Sequence, residues 1–241
     1  MPNLHLWRLA LDPARLAAIA REQRIPVSDE DHGYAGHALL CGLFGKERTP
    51  KPWHLDERRM VLWAYAPLAL DDAERTHADP LFHVAVRWEH SASRPMPLLK
   101  TGQRVGFDLR ACPVVRHGGR DQQTGSEHDY LLWREVRRRP DDPANLDPLG
   151  IYAEWLAERG WKAASGAVLT AAQVTGWSKP MGGNVNAWRG RGDGRLRLPD
   201  VRFTGVVTVS DPAALQTSLA RGIGRHRAFG FGMLLLKPAA G

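Results

Sequence analysis

Apolar and polar residues alternate over residues 5–11 (HLWRLAL), which predicts a half-buried first strand. Asp12-Pro13 follows at once, and an Asp cap with proline in the first turn predicts a helix to about residue 24. After a polar break over 26–31, residues 34–44 (YAGHALLCGLF) predict a second helix stopped by Gly45. Three strand-like stretches come next, over 60–67, 82–89 and 104–115. Residues 116–129 form a polar insertion, 134–139 a basic run, and 140–143 a linker-like stretch.

In the second half, residues 151–159 (IYAEWLAER) predict an amphipathic helix ended at Gly160, and residues 177–198 a loop or hairpin rich in glycine. Residues 201–209 alternate as a strand. Asp211-Pro212 opens a helix through Arg221, Gly222 ends it, and 229–236 is a last strand. The first half thus runs strand, helices, strands, and the second ends strand, helix, strand. That order favours an α+β fold of antiparallel sheets with helices on one face. Two βαββαβ units side by side fit the length, divided as 1–113 and 114–241. Element order carries this expectation; no repeat is visible in the sequence.

The chain has 241 residues with 43% hydrophobic and 24% charged, enough apolar content for one large domain or two small ones with cores of their own. The formal charge is +7. Residues 1–110 hold 15 basic and 14 acidic residues, whereas 111–241 hold 18 and 12. The positive field therefore belongs to the second half and suits a polyanion, nucleic acid before an anionic membrane surface; the plain alternative is solubility. Only Cys41 and Cys112 occur, without a CxxC, so neither a disulfide framework nor a thiolate zinc site is expected. There is no HExxH, no close carboxylate pairing and no GxSxG elbow, so no metal and no cofactor is expected. No secretory leader pattern and no 18-residue apolar run occur, which predicts a cytoplasmic protein without membrane contact.

The most informative stretch is the glycine-rich loop GIGRHRAFGFG, with Gly222, Gly224, Gly230 and Gly232. Its GxG is not a dinucleotide fingerprint, because that loop runs from strand into helix and here the order is helix, loop, strand. A metabolic enzyme using the loop for a nucleotide is disfavoured on the same ground. The small residues allow close backbone approach, and exposed amides beside Arg221, Arg225, His226 and Arg227 suit phosphates. A tight turn needing positive φ, with incidental charge, is the other reading. Arg189, Arg191, Arg195 and Arg197 cluster in WRGRGDGRLR; on a strand, Arg195 and Arg197 share a face. They read as an RNA surface or as a solvated charge run. From Gly176 to Gly232 nine basic residues face three acidic, which favours RNA. Arg116 and Arg120 belong to a third basic cluster, diluted by Asp121, Glu127, Asp129 and Glu135, which reads first as a solvated surface.

Tyr34 and His37 lie three apart on the second helix and share a face, with Leu39, Leu40 and Leu43 on roughly the opposite side. An imidazole beside a phenol can move protons near neutral pH. RNA supplies its own nucleophile, the 2′-OH, so one His with cationic groups suffices to cut it. A surface His beside a packing Tyr is the bland alternative.

Residues 201–238 (VRFTGVVTVSDPAALQTSLARGIGRHRAFGFGMLLLKP) closely resemble the C-terminal signature of CasE, the endoribonuclease of type I-E CRISPR systems. The Tyr-x-x-His of the second helix matches that family's active site at Tyr34 and His37. The resemblance is weaker over 45–200. It implies two ferredoxin-like domains. It also implies metal-independent cleavage at the 3′ base of a repeat hairpin, leaving a 5′-OH and a 2′,3′-cyclic phosphate, by His37 with Tyr34. The product hairpin is then kept within a CRISPR effector complex, so the implied partners are the repeat stem-loop RNA, as crRNA, and other complex subunits. A non-catalytic crRNA-binding subunit would use the same basic surfaces. The segment before Tyr34 is longer than is usual in CasE proteins. Type IV systems have a related processing nuclease, some of whose members rely on arginines rather than a histidine. Membership there would keep the RNA role and bring in Arg21, Arg24 or the arginines near Gly224 in place of His37 as sole catalyst.

Overall fold

The structure is a computed structural model and describes residues 4–25, 32–74, 79–116, 127–137, 146–178 and 199–239. The first half contains β1 (His5–Ala10), α1 (Pro13–Glu22), α2 (Gly33–Phe44), β2 (Trp53–Asp56), β3 (Val61–Ala66), α3 (Leu70–Glu74), α4 (Pro80–His83) and β4 (Ala92–Pro95). These strands form an antiparallel sheet in the order β2-β3-β1-β4. Then come β5 (Arg104–Ala111), β6 (Val114–Arg116), β7 (Glu127–Asp129), α5 (Tyr130–Val136), α6 (Pro148–Trp155), β8 (Ala167–Ser178), β9 (Asp200–Val209), α7 (Pro212–Arg221) and β10 (Leu234–Pro238). The second sheet has the order β10-β5-β9-β8, and β6 and β7 pair as a separate ribbon. Numbered within each unit, both sheets read 4-1-3-2 in space, the arrangement of a βαββαβ ferredoxin-like fold. The chain changes sheets between β4 and β5. The expected division at residue 113 falls after β5, while the change of strand pairing falls before it.

The alternation of β1 sends Trp7, Leu9 and Leu11 into a first core with Leu16 and Ile19 of α1 and Leu39, Leu40 and Leu43 of α2. Burying each such leucine contributes roughly 1.5–3 kcal/mol. Leu6 and Tyr65 point to the other side of that sheet and join the second core, with Phe107, Phe203, Tyr152, Trp155 and Leu215. The Tyr65 hydroxyl donates to the Leu234 carbonyl at 2.8 Å, so β3 is tied to β10 and the two sheets meet along that line.

Three expectations need correction. Residues 82–89 are not a strand: Asp79 accepts a hydrogen bond from the Leu81 amide at 2.9 Å and opens α4, and Trp88–His90 is a 3-10 turn. Residues 104–115 divide into β5 and β6 around Cys112-Pro113. The last strand begins at Leu234 rather than 229, because Arg227–Phe229 is a 3-10 turn and Gly230 and Gly232 have positive φ.

Candidate active site

Helix α2 carries Gly36 inside its length, where glycine costs about 1 kcal/mol relative to alanine. The reason is Trp53 of β2, fully buried, whose ring fills the place a Cβ at Gly36 would take. The same edge of the ring, through Cζ3 and Cη2, also meets Gly230 of the glycine-rich loop. A Cβ there would stand 3.0 Å from Trp53, and φ is 84°. The indole Nε1 donates to the Ala228 carbonyl at 3.0 Å. Trp53 therefore holds α2 and the glycine-rich loop together, although they are almost two hundred residues apart in the chain.

That junction brings Phe229 onto the exposed side of α2. Its ring lies 5.2 Å from His37 and 6.4 Å from Tyr34, centroid to centroid. Both side chains are half-buried, while Leu39, Leu40 and Leu43 on the other side of the helix are fully buried. One turn further along α2, Cys41 Sγ is 3.8 and 3.7 Å from the two ring nitrogens of His37. Nearly equal distances place the sulfur against the ring rather than on one nitrogen's lone pair. The Thr49 hydroxyl lies 3.3 Å from that sulfur and 2.8 Å from the Gly45 carbonyl, which keeps the end of α2 and the following loop together. Burial lowers the pKa of His37, and the positive charge of Lys51 lowers it further. The imidazole is neutral at pH 7 and able to accept a proton.

Beside it opens a cleft of about 560 Å³ lined by Lys51, Arg221, Arg225, Arg227 and Phe229. Among the described residues four cationic side chains line it and no carboxylate does. Phe229 is shared between this cleft, which it lines, and His37, whose ring stands 5.2 Å from its own. The arrangement suits proton transfer next to a phosphorus centre that gathers negative charge.

The glycine-rich loop has the positive-φ turns that one of its two sequence readings expected. The amides of Gly222, Ile223 and Gly232 are used internally, on Ser218 O at 2.8 Å, Gly232 O at 2.8 Å and Arg110 O at 2.7 Å, so they are not offered to phosphates. Gly222, Gly224, Gly230 and Gly232 all have positive φ. His226, expected to face RNA, has a fully buried side chain; its Nε2 lies 2.7 Å from Glu127 Oε2. Arg225 gives its Nε to Glu127 Oε1 at 2.6 Å and stays 42% exposed. Arg227 donates through Nη1 to the Arg221 carbonyl, and the Arg221 side chain is exposed at the end of α7. Arg116 is exposed on β6, in register with Glu127. Arg21 and Arg24 are exposed at the end of α1. Arg120, Arg189, Arg191, Arg195 and Arg197 lie outside the described residues.

Sequence reasoning missed Lys51, Phe229, Cys41 and Glu127. Cys41 alone had a usable signal, four residues after His37 on one helix. Lys51 and Phe229 reach the site only through the Trp53 junction, and Glu127 counted merely as diluting charge. Among the described residues no helix is long and apolar enough to cross a membrane, and no cluster of three or more His, Cys, Asp or Glu could hold a metal ion.

The same fold occurs in solved structures. Cse3 of Thermus thermophilus, bound to an RNA representing a pre-cleavage complex, aligns over 98% of this chain and 100% of its own, with 22% identity and a TM-score of 0.59. The CRISPR-associated protein Cas6e of Escherichia coli K-12 aligns over 98% and 100%, with 18% identity and a TM-score of 0.57. No curated protein sequence matches. The sequence profile of the family described as CRISPR associated protein matches residues 4–238. With nearly the whole chain inside that match, the protein belongs to this CRISPR-associated family.

Proposed function

We propose that the protein is a metal-independent endoribonuclease that cuts CRISPR repeat hairpins in pre-crRNA and keeps the hairpin as a subunit of an effector complex. The observation that carries the reading is a neutral, half-buried His37 next to a cleft lined by four cations. His37 takes the proton of the 2′-OH, whose oxygen attacks the adjacent phosphorus. Tyr34 orients the hydroxyl or the phosphate. Lys51, Arg221 and Arg227 offset the charge that builds on the phosphorane. The 5′-oxygen leaves and takes a proton from the imidazolium just formed, so a 2′,3′-cyclic phosphate and a 5′-OH result. In this reading the two units of the chain divide between β4 and β5, and the scissile phosphate sits where the second unit's loop meets the first unit's helix. Two solved proteins of this fold are named as a CRISPR endoribonuclease bound to RNA and as Cas6e, in line with RNA cleavage.

The test is incubation of the protein in EDTA with a labelled RNA carrying its cognate repeat, comparing wild type with His37→Ala. The wild type is expected to cleave. His37→Ala is expected to lose about 10²–10⁴-fold in single-turnover rate, with RNA affinity kept within a few-fold. Equal cleavage by both proteins moves the chemistry to the arginines. Tight binding without cleavage by either leaves a crRNA-holding subunit.

A further inference from the structure

We infer that Glu127 is a positioning residue: from the β6–β7 ribbon it fixes the glycine-rich loop in the shape that presents Phe229 and the cleft cations to His37. The inference deepens the endoribonuclease reading and rests on it for its effect on rate. Glu127 is nearly buried, with 6% of its side chain exposed, and each carboxylate oxygen serves one loop residue. Oε1 accepts from Arg225 Nε at 2.6 Å, and Oε2 meets His226 Nε2 at 2.7 Å. His226 sits in the left-handed region at φ 59°, uncommon for a residue with a side chain. Such a conformation persists only where its surroundings over-determine it, and the Glu127 contact on a fully buried imidazole does so.

What hangs on His226 is the site itself. The Phe229 amide donates to the His226 carbonyl at 2.8 Å, closing the turn Arg227–Phe229. The Ala228 carbonyl in that turn accepts from Trp53, and the Phe229 ring touches His37 and Tyr34. A shift of His226 is carried within three residues to the wall of the cleft. These Glu127 contacts are to the loop, and through it to the groups assigned to the reaction. A loop displaced by about 1 Å at such a site costs on the order of 10²-fold in rate.

The experiment compares Glu127→Ala, Glu127→Gln and the double variant Glu127→Ala/His226→Ala by single-turnover cleavage, RNA affinity and amide hydrogen exchange. Glu127→Ala should slow cleavage by roughly 10²-fold with affinity within about threefold. Glu127→Gln keeps an acceptor for Arg225 and a polar group for His226, and should recover most of the rate. The double variant should lose no more than Glu127→Ala alone, because the two residues act through one contact. In Glu127→Ala the amides of residues 223–232 should exchange faster while those of β5 and β9 stay protected. Unchanged exchange over 223–232 in Glu127→Ala overturns the inference. So does a loss confined to affinity, which would make Glu127 a determinant of binding. If Glu127→Ala fails to fold, His226→Ala, which removes the other side of the same contact, should speed exchange at the same amides, and unchanged exchange there overturns the inference. The exchange result stands without any cleavage, so a wild type that does not cut RNA overturns the endoribonuclease reading and leaves the loop-positioning claim to be judged separately.

Discussion

At the scale of single residues, His37 is tuned by burial first and by the charge of Lys51 second, and both act against its protonated form. A base-catalysed rate then falls on the acid side as pH drops through a pKa below the ordinary histidine value. Lys51→Met removes the second influence. The acid limb of the single-turnover profile should therefore move to higher pH, toward about 6.5, and the plateau should drop as well if the ammonium also serves the phosphorane. A rate–pH series for wild type and Lys51→Met checks this; an acid limb that stays in place would separate Lys51 from His37. The pair Tyr34 and His37 was legible because helical spacing puts i and i+3 on one face, and Phe229 does meet both rings. Lys51 was not legible, since no local spacing relates a loop lysine to a histidine fourteen residues earlier. The burial of His226 was not legible for a related reason. A charged tripeptide in a glycine loop looks exposed until its carboxylate partner is known, and Glu127 is 99 residues away.

Among elements, the most dependable local signal is Asp-Pro. It opens α1 and α7 at Asp12 and Asp211, and also α4 and α6 at Asp79 and Asp147, each carboxylate accepting from amides in the first turn. Two of the four were read from the sequence. The two missed ones were overshadowed by hydrophobic pattern: residues 82–89 alternate like a strand, and α6 begins three residues before the stretch that looked amphipathic. Helix α2 shows what pattern alone leaves open. Its apolar face was evident, but the purpose of Gly36 was not, because the Trp53 ring comes from another strand. Alanine at 36 would gain about 1 kcal/mol in helix propensity, yet its Cβ overlaps an indole pinned by Ala228 and backed by Gly230. Overpacking of this kind costs about 1–3 kcal/mol, so the clash outweighs the propensity gain. Gly36→Ala should lower the melting temperature and slow cleavage together, the second because Phe229 moves with Trp53. A thermal melt that rises would show that Trp53 has room to shift.

Across the whole molecule, residues of both sheets line a second cleft of about 410 Å³, with His54 and Trp63 from the first sheet and Arg110 and Arg202 from the second. Which helices cover which sheet was within reach of the sequence. The assignment of β5 to the second sheet was not, because strand order depends on pairing with β9 and β10, which lie 90 or more residues on. The cleft has a thermodynamic consequence. Burial between the sheets, reinforced by the charges of Arg110 and then Arg202, lowers the pKa of His54 to about 4. Arg110 cannot swing away to relieve it, being held by Asp200 at 2.8 Å with 6% of its side chain exposed. An unfolded chain binds the His54 proton near pH 6.5, so below that value the unfolded state gains protons that the folded state refuses. The His54 contribution is fully present above about pH 6.5 and is lost as pH falls through the folded value. The whole loss is on the order of 3 kcal/mol at one residue. Denaturant unfolding of the wild type should therefore weaken between pH 6.5 and 4, with part of that slope missing in His54→Leu, whose side chain has no proton to gain. Equal slopes for the two proteins would mean that water reaches His54 in solution and that the sheets stand further apart at this cleft.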